Sequence, residues 1–448
     1  MKRFWLVLLS LGLIAAFSTS AMAQLDVKFS GEYYAAGLYL DKTTLRDNAA
    51  TGGPSTAFYY QRLRLNTNFT VAPGLTLVTR ADIMERAWGA ARSAPGAGTD
   101  AFSAGSRAEN ENIVFDLAFV RYISPIGMFQ VGYQIDGQYG TMFGDNPNPT
   151  PRIAYFLPIK GFTIGLLTGK NTPAIAESSN TAINATLASD RDNEFLTAFL
   201  NYKWKTGETG ILTKYVRNAS NRAVLGGDNG FITNQYIVSP FAKLTLGPLA
   251  LQAQLYHIFG QAQKFEGTAA GNLADTRLNI LTGWVDATAN FGMFSVGGSI
   301  AYVSGNDPGS NASQGGSGGF DYRPCLILFN SELNYWAGAP TAYNGATTGG
   351  TLTNAWFGQI RGGVKPMDKL DIGMSVSYAT ADHKPTAAWL YNDYGYEVDL
   401  TATYKITNNL SYMLGAGYLF TGKYFKGAAE ANAIHNNFLV VNRLTLTF

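Results

Sequence analysis

The sequence predicts an all-β fold, a transmembrane antiparallel β-barrel of about eighteen strands with sixteen as the alternative count. Three observations predict it. Segments alternate apolar and polar residues with a period of two; their connections are by turns tight and long; and an export signal opens a chain that later holds no apolar run long enough for a spanning helix. The alternation is plainest near the C-terminus. Even positions read Tyr394, Tyr396, Val398, Leu400, Ala402, Tyr404 and Ile406, with Glu397, Asp399, Thr401, Thr403 and Lys405 between them. A soluble sheet buries such an apolar face in a core, whereas a membrane barrel turns it to lipid and keeps the polar face for the lumen.

At the N-terminus, Met1 to Ala23 joins a basic start (Lys2, Arg3) to an apolar run from Phe4 to Phe17 and the small-residue site Ala21-Met22-Ala23. Residues 1–23 therefore read as a cleaved secretory signal, with one barrel domain over 24–448. Losing Lys2 and Arg3 takes the 33 basic residues to 31, level with the 31 acidic ones, so no pull toward nucleic acid is expected. Cys325 stands alone, which excludes an internal disulfide and covalent haem attachment.

Alternation and turn signals then place strands at about 26–40, 58–71, 75–88, 111–123, 128–138, 151–158, 162–169, 193–204, 209–218, 230–246, 249–260, 276–290, 294–304, 354–365, 370–380, 393–406, 410–420 and 435–448. Tight connections fall at Ala72-Pro73-Gly74, Ser124-Pro125-Ile126-Gly127, Lys160-Gly161, Lys205-Thr206-Gly207-Glu208, Gly247-Pro248, Gly292-Met293, Pro366-Met367-Asp368-Lys369 and Thr407-Asn408-Asn409. Long ones separate them at 41–57, 89–110, 139–150, 170–192, 219–229, 261–275, 305–353, 381–392 and 421–434. A barrel in the outer membrane sorts its connections this way, short on the periplasmic rim and long on the other, and an even count leaves both termini on the periplasmic side.

Each strand also has two chemically distinct faces. Leu63, Leu65, Thr67 and Phe69 oppose Arg62, Arg64, Asn66 and Asn68, and on the next strand Leu75, Leu77, Ala81 and Ile83 oppose Arg80, Asp82 and Arg86. An Arg or Lys facing lipid at the midplane costs about 2–4 kcal/mol, so the charged face looks inward. The candidate pore-lining residues are Arg62, Arg64, Arg80, Asp82, Arg86, Asp116, Arg361, Asp371, Glu397, Asp399, Lys405 and Arg443. Their charges admit two readings: an unpaired basic ladder favouring anions, or pairs across the wall that add little net field. A soluble two-sheet sandwich, the competing fold, would need all apolar faces to meet in one core and would leave strand edges unprotected. Aromatic residues near strand ends (Tyr33, Tyr34, Tyr39, Phe58, Tyr59, Tyr60, Trp88, Tyr122, Trp204, Trp356, Tyr394, Tyr396 and Phe448) fit two interfacial girdles.

Phe448, preceded at alternate positions by Leu446 and Leu444, resembles the C-terminal signature that presents bacterial outer-membrane barrels to their insertion machinery. The run Gly417-Tyr418-Leu419-Phe420-Thr421-Gly422-Lys423-Tyr424-Phe425, after Gly395-Tyr396-Glu397-Val398-Asp399, resembles the closing strands of alginate-export-type porins. That likeness covers about the last fifty-five residues and implies an eighteen-stranded channel. Where the family commonly has an acidic residue in the last loop, this chain has Lys423. The implied function is passive diffusion of small hydrophilic solutes or ions across the outer membrane, in contact with its lipid and lipopolysaccharide, with a homotrimer as the analogous assembly. Alternatives are a sheath around a periplasmic or electron-transfer partner, an oligosaccharide-type export or uptake channel, and, third, an outer-membrane enzyme.

No constellation points to catalysis, a cofactor or a metal. Gly417 to Lys423 has phosphate-loop spacing, but Tyr424 replaces the Ser or Thr and no helix follows. His257, His383 and His435 lie far apart without ligand spacing. Asn306, Asp307, Asn311 and Asp321 offer oxygens without the spacing of a calcium loop. The stretch 305–353 differs from the other loops because Pro324-Cys325-Leu326-Ile327-Leu328-Phe329 and Leu333-Asn334-Tyr335-Trp336 make it locally apolar, and its candidate constriction residues are Cys325, Leu328, Phe329, Glu332, Tyr335 and Trp336. Exposed to water it would aggregate, so it is expected to fold into the barrel mouth, where it would narrow the pore, or else to pack on a neighbour as an external plug or protomer contact.

Overall fold

The computed structural model describes residues 26–47, 53–89, 113–172, 192–222, 230–266 and 273–448. The expected signal segment lies outside these residues. The wall strands are β1 (Asp26–Leu40), β2 (Thr56–Ala72), β3 (Leu75–Ala87), β4 (Ile113–Ser124), β5 (Gly127–Asp136), β6 (Asn148–Ile159), β7 (Phe162–Thr172), β8 (Asn193–Trp204), β9 (Gly207–Asn218), β10 (Phe231–Leu246), β11 (Leu249–Phe265), β12 (Thr276–Phe291) and β13 (Phe294–Val303). A two-residue β14 (Ala312–Ser313) and a helix α1 (Ser331–Trp336) follow. The ring then resumes with β15 (Ala355–Met367), β16 (Leu370–Ala381), β17 (Asp393–Lys405), β18 (Leu410–Thr421) and β19 (Asn437–Thr447).

Neighbouring wall strands pair antiparallel all the way round, and β1 pairs with both β2 and β19. Closure leaves no edge open to aggregation. Among the described residues only β14 stands outside the ring, a short parallel addition to β12. Eighteen wall strands therefore displace the sixteen-strand alternative, and tight and long connections alternate between the two rims. Lys160-Gly161 shows why the tight ones form where they do: both residues have positive φ, 46° and 88°, as the turn that matches strand twist requires.

The faces divide as the alternation demands. Ile300, Ile360 and Leu400 look outward at 65%, 72% and 53% exposure, while Ala301 and Phe357 beside them in sequence or register are buried inside. Among the aromatics, Tyr59, Trp88, Tyr122, Trp356, Tyr396 and Phe448 are exposed. Tyr34, Phe58, Tyr60 and Tyr394 are corrections to the expected girdles, because all four are buried inside the ring. Parity with outward Tyr59 turns Phe58 and Tyr60 inward. Tyr394 is reversed by a bulge: Ala379 pairs with Gly395 but Thr380 with Asp393, and Gly395 takes φ 106° to make the extra residue fit.

The β1–β19 seam closes on a glycine. The Gly31 amide donates to the Phe448 carbonyl at 2.8 Å and Phe448 donates back at 3.1 Å. A Cβ at Gly31 would lie 2.5 Å from the Arg64 carbonyl oxygen and 2.8 Å from the Phe448 ring. Gly31→Val is therefore expected to cut the yield of closed barrel, read as the fraction that migrates compactly on an unheated gel. Ala57→Val, on the exposed outward face, should leave that fraction unchanged; equal yields would mean the seam tolerates a side chain.

Candidate functional site

Among the described residues, two long connections reach furthest into the bore. In order along the chain they are loop 3, residues 137–147 between β5 and β6, and loop 7, residues 304–354 between β13 and β15. Loop 7 has no choice on hydrophobic grounds, since Pro324 to Phe329 and the core side of α1 are apolar. Ile327, Leu328, Phe329, Leu333 and Trp336 are buried against inward-facing wall residues. Trp336 stacks on Tyr60 with centroids 4.4 Å apart, and Phe329 sits edge-on to Phe357 and Tyr394.

Burying that run also buries its backbone, which needs partners. Glu397 on β17 supplies two, accepting from the amides of Ile327 at 2.6 Å and Leu328 at 2.7 Å. Gln359 Nε2 donates to the Pro324 carbonyl at 2.6 Å. Asn330 caps α1, accepting from the amides of Glu332 and Leu333, and turns its own amide to the carbonyls of Cys325 and Leu326. Glu332 then fastens the helix to the wall through Arg443 at 2.9 Å and within the loop through Arg323 at 2.6 Å.

Loop 3 is anchored differently. Gln254 on β11 accepts from both the amide and the hydroxyl of Thr141 at 2.7 Å, and donates to the Tyr139 carbonyl at 2.9 Å. Phe143 lies parallel to Trp284 on β12, 5.9 Å between centroids, and edge-on to Tyr322 of loop 7. The two loops share backbone bonds, from the Gly319 amide to the Phe143 carbonyl at 2.7 Å and from Asp321 to Asp145 at 3.1 Å. Leaving the wall between β5 and β6, loop 3 reaches through the bore to contacts on β11 and β12. Burial pushes the Asp145 carboxyl above its ordinary range, and Asp321 beside it adds to the rise.

The opposite arc carries the charges. Arg62 lies 3.7 Å from Glu32 and 3.5 Å from Glu85; Arg64 grips Asp82 with two bonds of 2.7 and 2.6 Å; Arg80 grips Asp116 likewise at 2.9 Å. Asp136 joins Arg152 at 3.0 Å to Lys214 at 2.6 Å, linking β5, β6 and β9. Of the two readings these charges admit, the contacts on this arc are those of ion pairs. Across the bore, Arg361 pairs with Asp286 at 2.6 Å, and Asp371 pairs with Lys365 at 3.2 Å near the short-turn rim, where Lys405 is exposed.

Several expected pore-lining residues stand elsewhere. A bulge sets Met84 and Glu85 opposite Arg62, so Arg86 comes into register with Gln61, the residue that accepts from outward Trp88. Glu397 is fully covered by loop 7, and Asp399 is nearly so. Cys325, Leu328, Phe329 and Trp336 are the anchoring side of loop 7, not its bore-facing side. Glu332 and half-buried Tyr335 lie beside them. Asn306 and Asp307 spend their oxygens on loop amides, those of Gln314, Gly315 and Gly309. Sequence reasoning missed loop 3 as a pore element; the apolar pair Met142-Phe143 inside a Gly- and Asn-rich stretch was the available signal.

Open space remains beside both loops. A cavity of about 310 Å³ below loop 7 is lined by Thr288, Gln359, Arg361, Ser375, Asp399 and Thr401 among others. Another of about 410 Å³ beside loop 3 is lined by Asp136, Asn146, Asn148, Thr150 and Lys214 among others.

No protein-family model and no curated protein matches the sequence. Among solved structures the chain is similar to OccK9 (OpdG) of Pseudomonas aeruginosa, with a TM-score of 0.50 and 14% identity over 94% of this chain and 99% of that one. It is similar to the outer membrane protein opdK of the same organism, at 0.48 and 12% over 94% and 99%. An anion-selective porin from Comamonas acidovorans gives 0.45 and 11% over 95% and 100%. At these identities the likeness is one of fold.

Proposed function

We propose that this chain is a bacterial outer-membrane porin, a passive diffusion channel for small hydrophilic solutes or ions. One observation carries the reading: the closed ring is apolar outside, while its inner wall holds ion pairs facing a bore that loops 3 and 7 narrow. A wet, charged lumen replaces lipid along the solute's path, and no catalytic group is needed for passage. A protein sheath would need a vacant bore for its partner, and the two inserted loops favour the channel over it.

Export by the 1–23 signal, recognition of Leu444, Leu446 and Phe448 by the insertion machinery, contact of the outer band with lipid and lipopolysaccharide, and a homotrimer belong to the same reading. The narrower alginate-export reading draws only on the likeness of the last strands. There Gly417 serves the packing of loop 7, and Lys423 lies over the Tyr391 ring, 5.0 Å from its centroid. Those residues support closure and loop packing more than solute choice.

Planar-bilayer recording of the purified chain tests the proposal. Stepwise conductance is expected, with weak ion selectivity, a permeability ratio within about threefold of unity, because paired wall charges leave little net field. A strong anion or cation preference would overturn the paired-wall account, and a membrane without conductance steps would overturn the channel itself.

A further inference from the structure

Three ligand-bearing side chains meet beneath loop 7. Cys325 is 3% exposed, and Glu397 and Asp399, two residues apart on the inner face of β17, are 0% and 5% exposed. The Cys325 Sγ and one oxygen from each carboxylate lie within 4.8 Å of one another. Adjacent buried carboxylates are costly unless a cation or proton lies between them. No ion pair of the described residues reaches either one.

Lone pairs are left for a ligand. The amides of Ile327 and Leu328 take one site on each Glu397 oxygen, and each oxygen keeps a second. Asp399 Oδ2 accepts from the Ser375 hydroxyl at 3.4 Å, whereas its Oδ1 is buried with no hydrogen-bond partner. That unpartnered oxygen turns to the space kept open by Gly417 on β18. A Cβ there would lie 2.7 Å from Asp399 Oδ1 and 3.4 Å from Glu397 Oε1. Access exists as well, since Asp399 also lines the 310 Å³ cavity below the loop.

We propose that Cys325, Glu397 and Asp399 form a binding site for one divalent cation of the zinc class, which clamps loop 7 to the barrel wall. The donor set chooses the class. Calcium and magnesium take oxygen ligands, while a thiolate beside carboxylates suits zinc-like ions. A tetrahedral site needs its ligand atoms about 3.5 Å apart, so the cation draws Cys325 slightly toward β17, and water from the cavity fills the fourth position. Binding releases the thiol proton into solution as the sulfur–metal bond forms, so affinity rises with pH.

The test uses the whole chain in detergent, stripped with a chelator and titrated with Co²⁺ as the probe. One equivalent should bind with a thiolate-to-cobalt absorption band that Zn²⁺ displaces and that is missing in Cys325→Ser. Asp399→Asn should weaken binding at least about tenfold, since a neutral carboxamide replaces a charged ligand, with compact gel migration retained. Cys325→Ser leaves both carboxylates in place and decides the matter alone. A folded wild-type chain without that band, or the same band and affinity in Cys325→Ser, overturns the site; neither result touches the channel reading, which conductance measures separately.

Discussion

Removing residues 310–350 is expected to raise single-channel conductance several-fold with the barrel still closed. The segment holds most of loop 7 and contributes to the sheet only β14, a pair of residues beside β12. Every hydrogen bond that closes the ring lies between wall strands, so the ring has no need of it. Its loss uncovers Tyr60, Phe357 and Leu439, now buried under the loop, and gives their share of the cross-section to water. Glu397→Gln is the graded form of the same experiment. A carboxamide presents one accepting oxygen where the carboxylate presents two, so one of the Ile327 and Leu328 amides is left buried without a partner. That costs about 1–3 kcal/mol and should raise the population of an undocked loop roughly 5- to 150-fold. Single-channel records would then flicker between two levels. Unchanged conductance in the deletion would remove loop 7 from the permeation path.

The wall was legible because two signals are purely local. Period-two alternation needs only the strand itself, and turns such as Lys160-Gly161 need only their own φ preferences. Neither reports what fills the bore. Parity correctly gives Glu397 an inward side chain, yet whether that side chain meets water or the backbone of Ile327 depends on a loop from elsewhere in the chain. Two of the errors of facing share one cause. At Met84–Glu85 and at Tyr394–Gly395 an extra residue resets the alternation, so Arg86 and Tyr394 end on the faces opposite those counted from a regular strand. The anchoring of loop 3 was hidden for a different reason: Gln254 is one polar residue among several on an inner face, and only the fold brings Thr141 to it. The charge ladder shows the same limit, since the arginines are evident in sequence and their pairing is set by cross-strand register.

Placing one arginine on either face of the same wall should separate lipid from lumen. Ile360 stands at the middle of β15, 72% exposed, between Gly298 and Val376 on the flanking strands. In Ile360→Arg the guanidinium would face hydrocarbon at about 2–4 kcal/mol, a loss of roughly 30- to 1000-fold in the folding equilibrium. Thr401→Arg puts the same group on the inner face of β17, where it lines the aqueous cavity two residues from Asp399, and a hydrated charge there costs little. Urea unfolding of both variants in lipid vesicles measures the difference directly, with the vesicle supplying the solvent whose identity is in question. A large gap between them follows only if the apolar face is solvated by lipid and the charged face by water. Equal stabilities would mean that the two faces meet the same medium, and the alternation that organises every strand of this chain would then need a cause other than a membrane.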